Sequence, residues 1–263
     1  MLDVPAAQRG PRASLLTLIH PRKRTRPLLL ALILGFLLGG LLMVSAGMPL
    51  SGATLLTLGL LAYPAFLKWR DDVARWGAPL TALSMLLALQ GFHTFEHIAQ
   101  YVQFHYLGWP GKAAGGLLAA ANVETVHFFW NWAVCLSVLW ILNQGLRHPW
   151  GYVMFAWSFA HSLEHTYLFI TYLDAVLVLW SQDVSLAFAQ GLPGILGRHG
   201  WLETAGWQYA PTALLCQLAP PLVSAPRISV HFWWNMGEVA LLLPFAHAVM
   251  RRHGAQMANA GTP

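Results

Sequence analysis

Charge is scarce in this chain. Only 10% of its 263 residues are Asp, Glu, Lys or Arg, against about 25% in ordinary globular domains. Together with 57% hydrophobic residues and a mean hydropathy of +0.52, that shortage excludes a soluble domain. Cysteine is scarcer still. Cys135 in an apolar run and Cys216 in a loop are the only two, which excludes a disulfide framework and a thiolate metal motif. Both read as packing residues. The charges present sit between long apolar stretches, the pattern of a polytopic membrane protein. The net charge of +5 therefore needs no nucleic-acid partner and reads as topology.

The expected fold is all-α, with six transmembrane helices of roughly 20 residues or more. They fall near 27–47, 50–67, 78–106, 117–142, 150–180 and 228–250. The third and fifth are long enough to tilt or project. Arg9, Arg12, Arg22, Lys23, Arg24 and Arg26 precede the first span, and Lys68, Arg70 and Arg75 follow the second. Arg147 follows the fourth and Arg251 and Arg252 the sixth, while Lys112, Arg198 and Arg227 fall on the other side. The positive-inside rule then puts both termini in the cytoplasm of a cell with this protein in its inner membrane. Val44-Ser45-Ala46 has the small-residue look of a signal-peptidase site. The apolar run before it exceeds the 7–15 residues of a signal peptide, so an uncleaved anchor is expected.

The segments divide as follows. Residues 1–26 form a basic cytoplasmic segment and 27–75 a two-helix scaffold without ionisable residues in its apolar interior. Residues 78–147 and 150–252 form two metal-binding repeats, the second with an outer loop over 181–227. That loop is rich in Leu, Trp and Pro rather than charge, which argues against disorder. It reads as a lid over an outward-facing site or as a passive interfacial hairpin.

The repeats carry the chemistry. His93-Thr94-Phe95-Glu96-His97 aligns with His161-Ser162-Leu163-Glu164-His165, and Val126-His127-Phe128-Phe129-Trp130-Asn131 with Val230-His231-Phe232-Trp233-Trp234-Asn235. Both units start on the cytoplasmic side, so an internal parallel duplication around an axis along the membrane normal is expected. It would build a four-helix core from spans three to six. The halves differ at two places: Glu124 has Ile228 opposite it, and Glu238 has Val134.

Residues three and four apart share a helix face, so each His-x-x-Glu-His projects two imidazoles and a carboxylate together. His127 and His231 add a third imidazole apiece. The expected metal ligands are His93, Glu96, His97, His127, His161, Glu164, His165 and His231. Glu96 and Glu164 would bridge, carry protons or act as the catalytic groups. Asn131, Asn235, Glu124 and Glu238 are candidates for the surrounding shell or for further ligands. Aromatic walls are expected from Phe92, Phe95, Phe128, Phe129, Trp130, Phe232, Trp233 and Trp234. His105 and His247 read as hydrogen-bonded packing residues.

Two transition-metal ions fit this set, with iron or copper favoured and zinc compatible. The leading expectation is a non-haem dinuclear oxidoreductase in the outer half of the bilayer, acting on a lipid, hydrocarbon or quinone. A membrane redox partner or a second copy of the chain is compatible with it. The alternatives are a zinc hydrolase, a metal or ion transporter, a haem protein, and a polar network that only holds helices together. His-x-x-Glu-His is also the motif of inverted zinc proteases, but those need one copy and a further acidic ligand, and nothing else here resembles them.

Overall fold

The computed structural model describes residues 14–119 and 122–260; Arg9 and Arg12 lie outside them. The protein is all-helical, with no strand among the described residues. A short α1 (Leu15–Ile19) precedes five long helices: α2 (Thr25–Ala46), α3 (Leu50–Trp76), α4 (Ala78–His105), α5 (Glu124–Asn143) and α6 (Pro149–Ser181). Three short helices follow in the 181–227 loop, α7 (Trp201–Thr204), α8 (Ala210–Leu218) and α9 (Pro221–Ser224), and then the long α10 (Arg227–Ala260).

Three segments are long and apolar enough to cross a membrane: Arg22–Ala46, Leu50–Trp76 and Glu124–Asn143. Helices α4, α6 and α10 are as long or longer. Their hydropathy is lowered by the buried polar side chains they carry, such as Gln90, His161 and Glu238.

Helix bounds differ from the sequence expectation at three ends. Helix α3 continues to Trp76 rather than 67, because its last turns carry Lys68, Asp71 and Asp72 into an ion-pair network below the apolar run. Helix α5 begins at Glu124 rather than 117, since the amides of Leu117 and Leu118 bind a side chain instead of continuing a helix. Helix α10 runs on to Ala260 rather than 250.

Helix α4 packs against α5 and α10, and α6 packs against the same two, so the four close into a ring. The α2–α3 hairpin attaches through α3 to α4. Within the hairpin, Gly35 faces Thr57 and Gly39 faces Ala53. Such small residues let helix backbones approach where lipid offers no hydrophobic drive. At the end of the ring where α4 and α6 begin, Leu83, Val138, Ile141, Met154, Leu242 and Phe245 fill the interior, each fully buried. The opposite half of the ring holds the histidines.

Residues 14–26 of the basic N-terminal segment are folded against the bundle. Ser14 caps α1 and Leu18 is fully buried in the core. Lys68 reaches the Leu18 carbonyl (3.2 Å) and the Ser84 hydroxyl (2.8 Å) and pairs with Asp72. Asp72 also takes Arg22 at 3.3 Å, while Asp71 takes Arg24 at 2.9 Å and Lys23 at 3.4 Å. Two aspartates thus tie the N-terminal segment to the foot of α3.

Asp72 is 1% exposed and Lys68 8%, and removing one partner of a buried pair leaves the other charge stranded, at a cost of about 3–5 kcal/mol. Thermal unfolding in detergent should show that loss for Asp72→Ala. Asp71→Ala, at the rim, should give a much smaller shift.

Candidate metal centre

The ring of helices dictates where the histidines meet. His93 and His97 lie one turn apart on α4, His161 and His165 one turn apart on α6, and His127 and His231 in the opening turns of α5 and α10. Four different helices therefore aim imidazoles at the same level of the bundle interior. The contacts are continuous. Ring centroids lie 4.7 Å apart for His93–His97, 5.7 Å for His97–His127, 5.4 Å for His127–His165, and 4.9 Å for both His165–His231 and His161–His165. His97 and His231 close the loop at 5.9 Å. One nitrogen each of His93, His97 and His127 falls within 4.8 Å of the other two, a spacing that could hold a metal ion.

All but His93 are buried, and half of the twelve ring nitrogens are buried without a partner. Among the described residues, His93 Nε2, both nitrogens of His97, His161 Nε2, His165 Nδ1 and His231 Nε2 are buried without a hydrogen bond. Leaving a buried polar atom unpaired costs about 1–3 kcal/mol. Histidine ligates metals through a neutral ring nitrogen, and the three rings whose nitrogens converge, His93, His97 and His127, could hold an ion.

Neighbouring groups fix the ring orientations. Val123 O accepts from His127 Nδ1 at 3.0 Å. Since a carbonyl only accepts, His127 carries its proton on Nδ1 and presents Nε2. Glu238 Oε1 holds His161 Nδ1 at 2.9 Å, which likewise frees Nε2. Carboxylate–histidine pairs of this kind orient ligands at metal centres. Asn131 and Asn235 act alike: each donates from Nδ2 to the carbonyl of the histidine one turn earlier, at 2.8 and 2.9 Å. Trp130 lies 5.0 Å from His93, and Trp234 stacks on His161 at 5.2 Å.

Of the expected ligands, His161, His165, His231, Glu96 and Glu164 are not among the grouped donors. Glu96 Oε2 accepts from Leu117 N (2.9 Å) and Oε1 from Leu118 N (2.8 Å). Glu164 does the same one loop later, accepting from Ile195 N at 3.1 Å on Oε1 and from Leu196 N at 3.3 Å on Oε2. Each carboxylate therefore clasps the loop that follows its own helix. A glycine faces each clasp: a Cβ at Gly116 (φ +79°) or at Gly194 would collide with the Glu96 or Glu164 carboxylate. Glu124 is likewise engaged, with Arg227, which also donates to Leu192 O at 2.7 Å.

Other expectations change in detail. Phe95, Phe129 and Trp233 are more than half exposed on the outer surface, so they do not wall the centre; at helical spacing they project away from the turn's interior face. Phe128 stacks on Phe169 and Phe232 on Tyr101. His105 bonds Ser229 at 2.8 Å, but His247 lies exposed in a surface groove rather than packed. The 181–227 loop is folded around Leu202, Cys216 and Val223.

Gln90, fully buried one turn before His93, went unnoticed in the sequence. Its Nε2 donates to Asn235 Oδ1 (3.1 Å) and to Glu238, and its Oε1 accepts from Trp130 Nε1 (3.0 Å). It lies on the face of α4 shared with His93, Thr94 and His97, and a glutamine there, in an otherwise apolar turn, was the signal. Gln103 was also missed; it pairs with both backbone groups of Gly116 at 2.7 and 3.2 Å. A cavity of about 150 Å³ opens beside the cluster, between His93, Glu96, Gln100, His127 and Trp130.

No protein-family model, curated protein or solved structure matches the chain.

The clasps make a prediction separable from metal binding. Gly116→Ala and Gly194→Ala should accelerate amide exchange and proteolysis in residues 106–123 and 182–226 respectively, while leaving bound metal per chain unchanged.

Proposed function

We propose that the protein is an integral-membrane oxidoreductase whose histidine cluster holds two redox-metal ions in the outer half of the bilayer and acts on a lipophilic substrate. The observation that carries this reading is the meeting of six imidazoles from four helices, with six of their buried nitrogens unpartnered. In this reading all six long helices span the membrane. The matching roles of Glu96 and Glu164, Asn131 and Asn235, and Trp130 and Trp234 support descent from a duplicated helix pair.

The donor set favours copper over iron. Bridging carboxylates are what dinuclear iron centres in helix bundles use, and both glutamates of the motifs are engaged by loop amides. What remains is imidazole, which suits copper as well as zinc, iron and nickel, and copper binds such ligands most tightly of the divalent series. When bound, such ions supply one-electron chemistry. The chain's own part is to aim the nitrogens: Val123 and Glu238 set two ring orientations, and Gln90 holds Glu238 in place.

The cavity beside His93 and His127 is bordered by Phe92 and by Val126, which is itself 44% exposed on the bundle's outer face. Its volume of about 150 Å³ suits the reactive end of a lipid-dissolved molecule, with the remainder outside. It is far too small for a porphyrin. The apolar plug around Leu83, Ile141 and Phe245 lies beneath the cluster, which weighs against an ion path through the bundle. The engaged glutamates weigh against a hydrolase that would need one as its base.

Elemental analysis and visible and electron-paramagnetic spectra of detergent-purified protein test this. About two equivalents of copper or iron per chain are expected, lost in His97→Ala/His165→Ala. Zinc alone would transfer the reading to hydrolysis. No metal in the wild type, and none gained on reconstitution, would overturn it in favour of a helix-packing histidine network.

A further inference from the structure

We propose that the cytoplasmic end of the bundle binds one anionic phospholipid, in a groove between the start of α6 and the last turns of α10. The proposal rests on the membrane topology and is independent of the metal centre. The groove has a volume of about 760 Å³.

Its lining is graded. Leu243, His247 and Arg251 follow one another at four-residue intervals along α10, as do Pro244, Ala248 and Arg252, and Trp150 of α6 stands across from them. Four residues is one helical turn, so each stripe passes from apolar to cationic over about 12 Å of helix. That is the profile of a phospholipid, with acyl chain against Leu243 and Trp150 and phosphate against the arginines. His148 adds a second imidazole at the cationic end.

Charge complementarity fixes the sign of the headgroup. No acidic residue lines the groove. Arg22, Lys23, Arg24 and Lys68 of the N-terminal side each have an aspartate, whereas Arg251 and Arg252 have no carboxylate partner among the described residues. One nitrogen of Arg252 donates to Arg147 O at 2.7 Å, which holds the guanidinium at the groove and leaves its other N–H groups without a partner among the described residues. Planar guanidinium groups bind phosphate oxygens in pairs of hydrogen bonds, and basic pockets between helices on the cytoplasmic side suit anionic headgroups. The apolar half of the stripe is what selects a lipid over a free phosphate ion.

The test uses the full chain, delipidated in detergent and then offered vesicles of phosphatidylglycerol or phosphatidylcholine, with retained lipid counted by native mass spectrometry. One retained phosphatidylglycerol is expected, preferred over phosphatidylcholine by about thirtyfold from two arginines at the interface. Arg251→Gln/Arg252→Gln should abolish the preference, and Arg251→Lys/Arg252→Lys should keep most of it. Thermal unfolding in detergent serves as the control for folding, since both arginines are exposed. Equal retention of the two lipids by the wild type, or a preference that survives the glutamine variant, would overturn the proposal. So would displacement of the lipid by millimolar inorganic phosphate, which would reveal a simple anion site.

Discussion

Every polar atom placed inside an apolar bundle must find a partner there, because lipid supplies none. Most of this structure follows from how that demand is met. The glutamates of the two motifs take loop amides, the asparagines take carbonyls one turn back, and Gln90 takes three partners from two other helices. Lys68 and Asp72 satisfy each other and the end of α1. Against that thorough pairing the histidine nitrogens stand out. They are six of the eleven buried side-chain nitrogen and oxygen atoms left without a partner among the described residues, and the functional reading rests on that concentration rather than on the number of histidines.

The same demand explains why only three of the six long helices are apolar enough, averaged over their length, to cross a membrane. Helices α2 and α3 present apolar side chains outward along most of their length, and α5 carries its polar groups mainly near its start. Helices α4, α6 and α10 divide their surfaces, with Phe95, Leu163 and Trp233 outside and the histidines inside. A scale that averages around the helix sees a diluted signal, although the outward face is apolar in each.

Much of this was legible in the chain. Helical repeat geometry put His93 beside His97 and His161 beside His165, and the matched Val-His-Phe segments put a third imidazole near each pair. The roles of Glu96 and Glu164 were not legible. Spacing shows that a carboxylate shares a face with two imidazoles, but it does not show a loop returning from 21 or 31 residues later to occupy it. Gly116 and Gly194 were silent for the same reason, since a glycine's purpose appears only with the atom that faces it. The pairing of Glu124 with Arg227 joins residues 103 apart, beyond any local pattern. The early start assigned to α5 failed because Leu117 and Leu118 are apolar, and apolar residues tucked under a loop look like the edge of a span.

The position of each clasp ties the loops to the histidines. Glu96 lies between His93 and His97 within one helical turn, and Glu164 between His161 and His165. Each loop is therefore fastened to the same helical turn that carries two imidazoles. A shift of either loop is felt at the turn that aims those rings, and a shift of the turn is felt at the loop, so the covering of the bundle and the alignment of its histidines are not independent of one another.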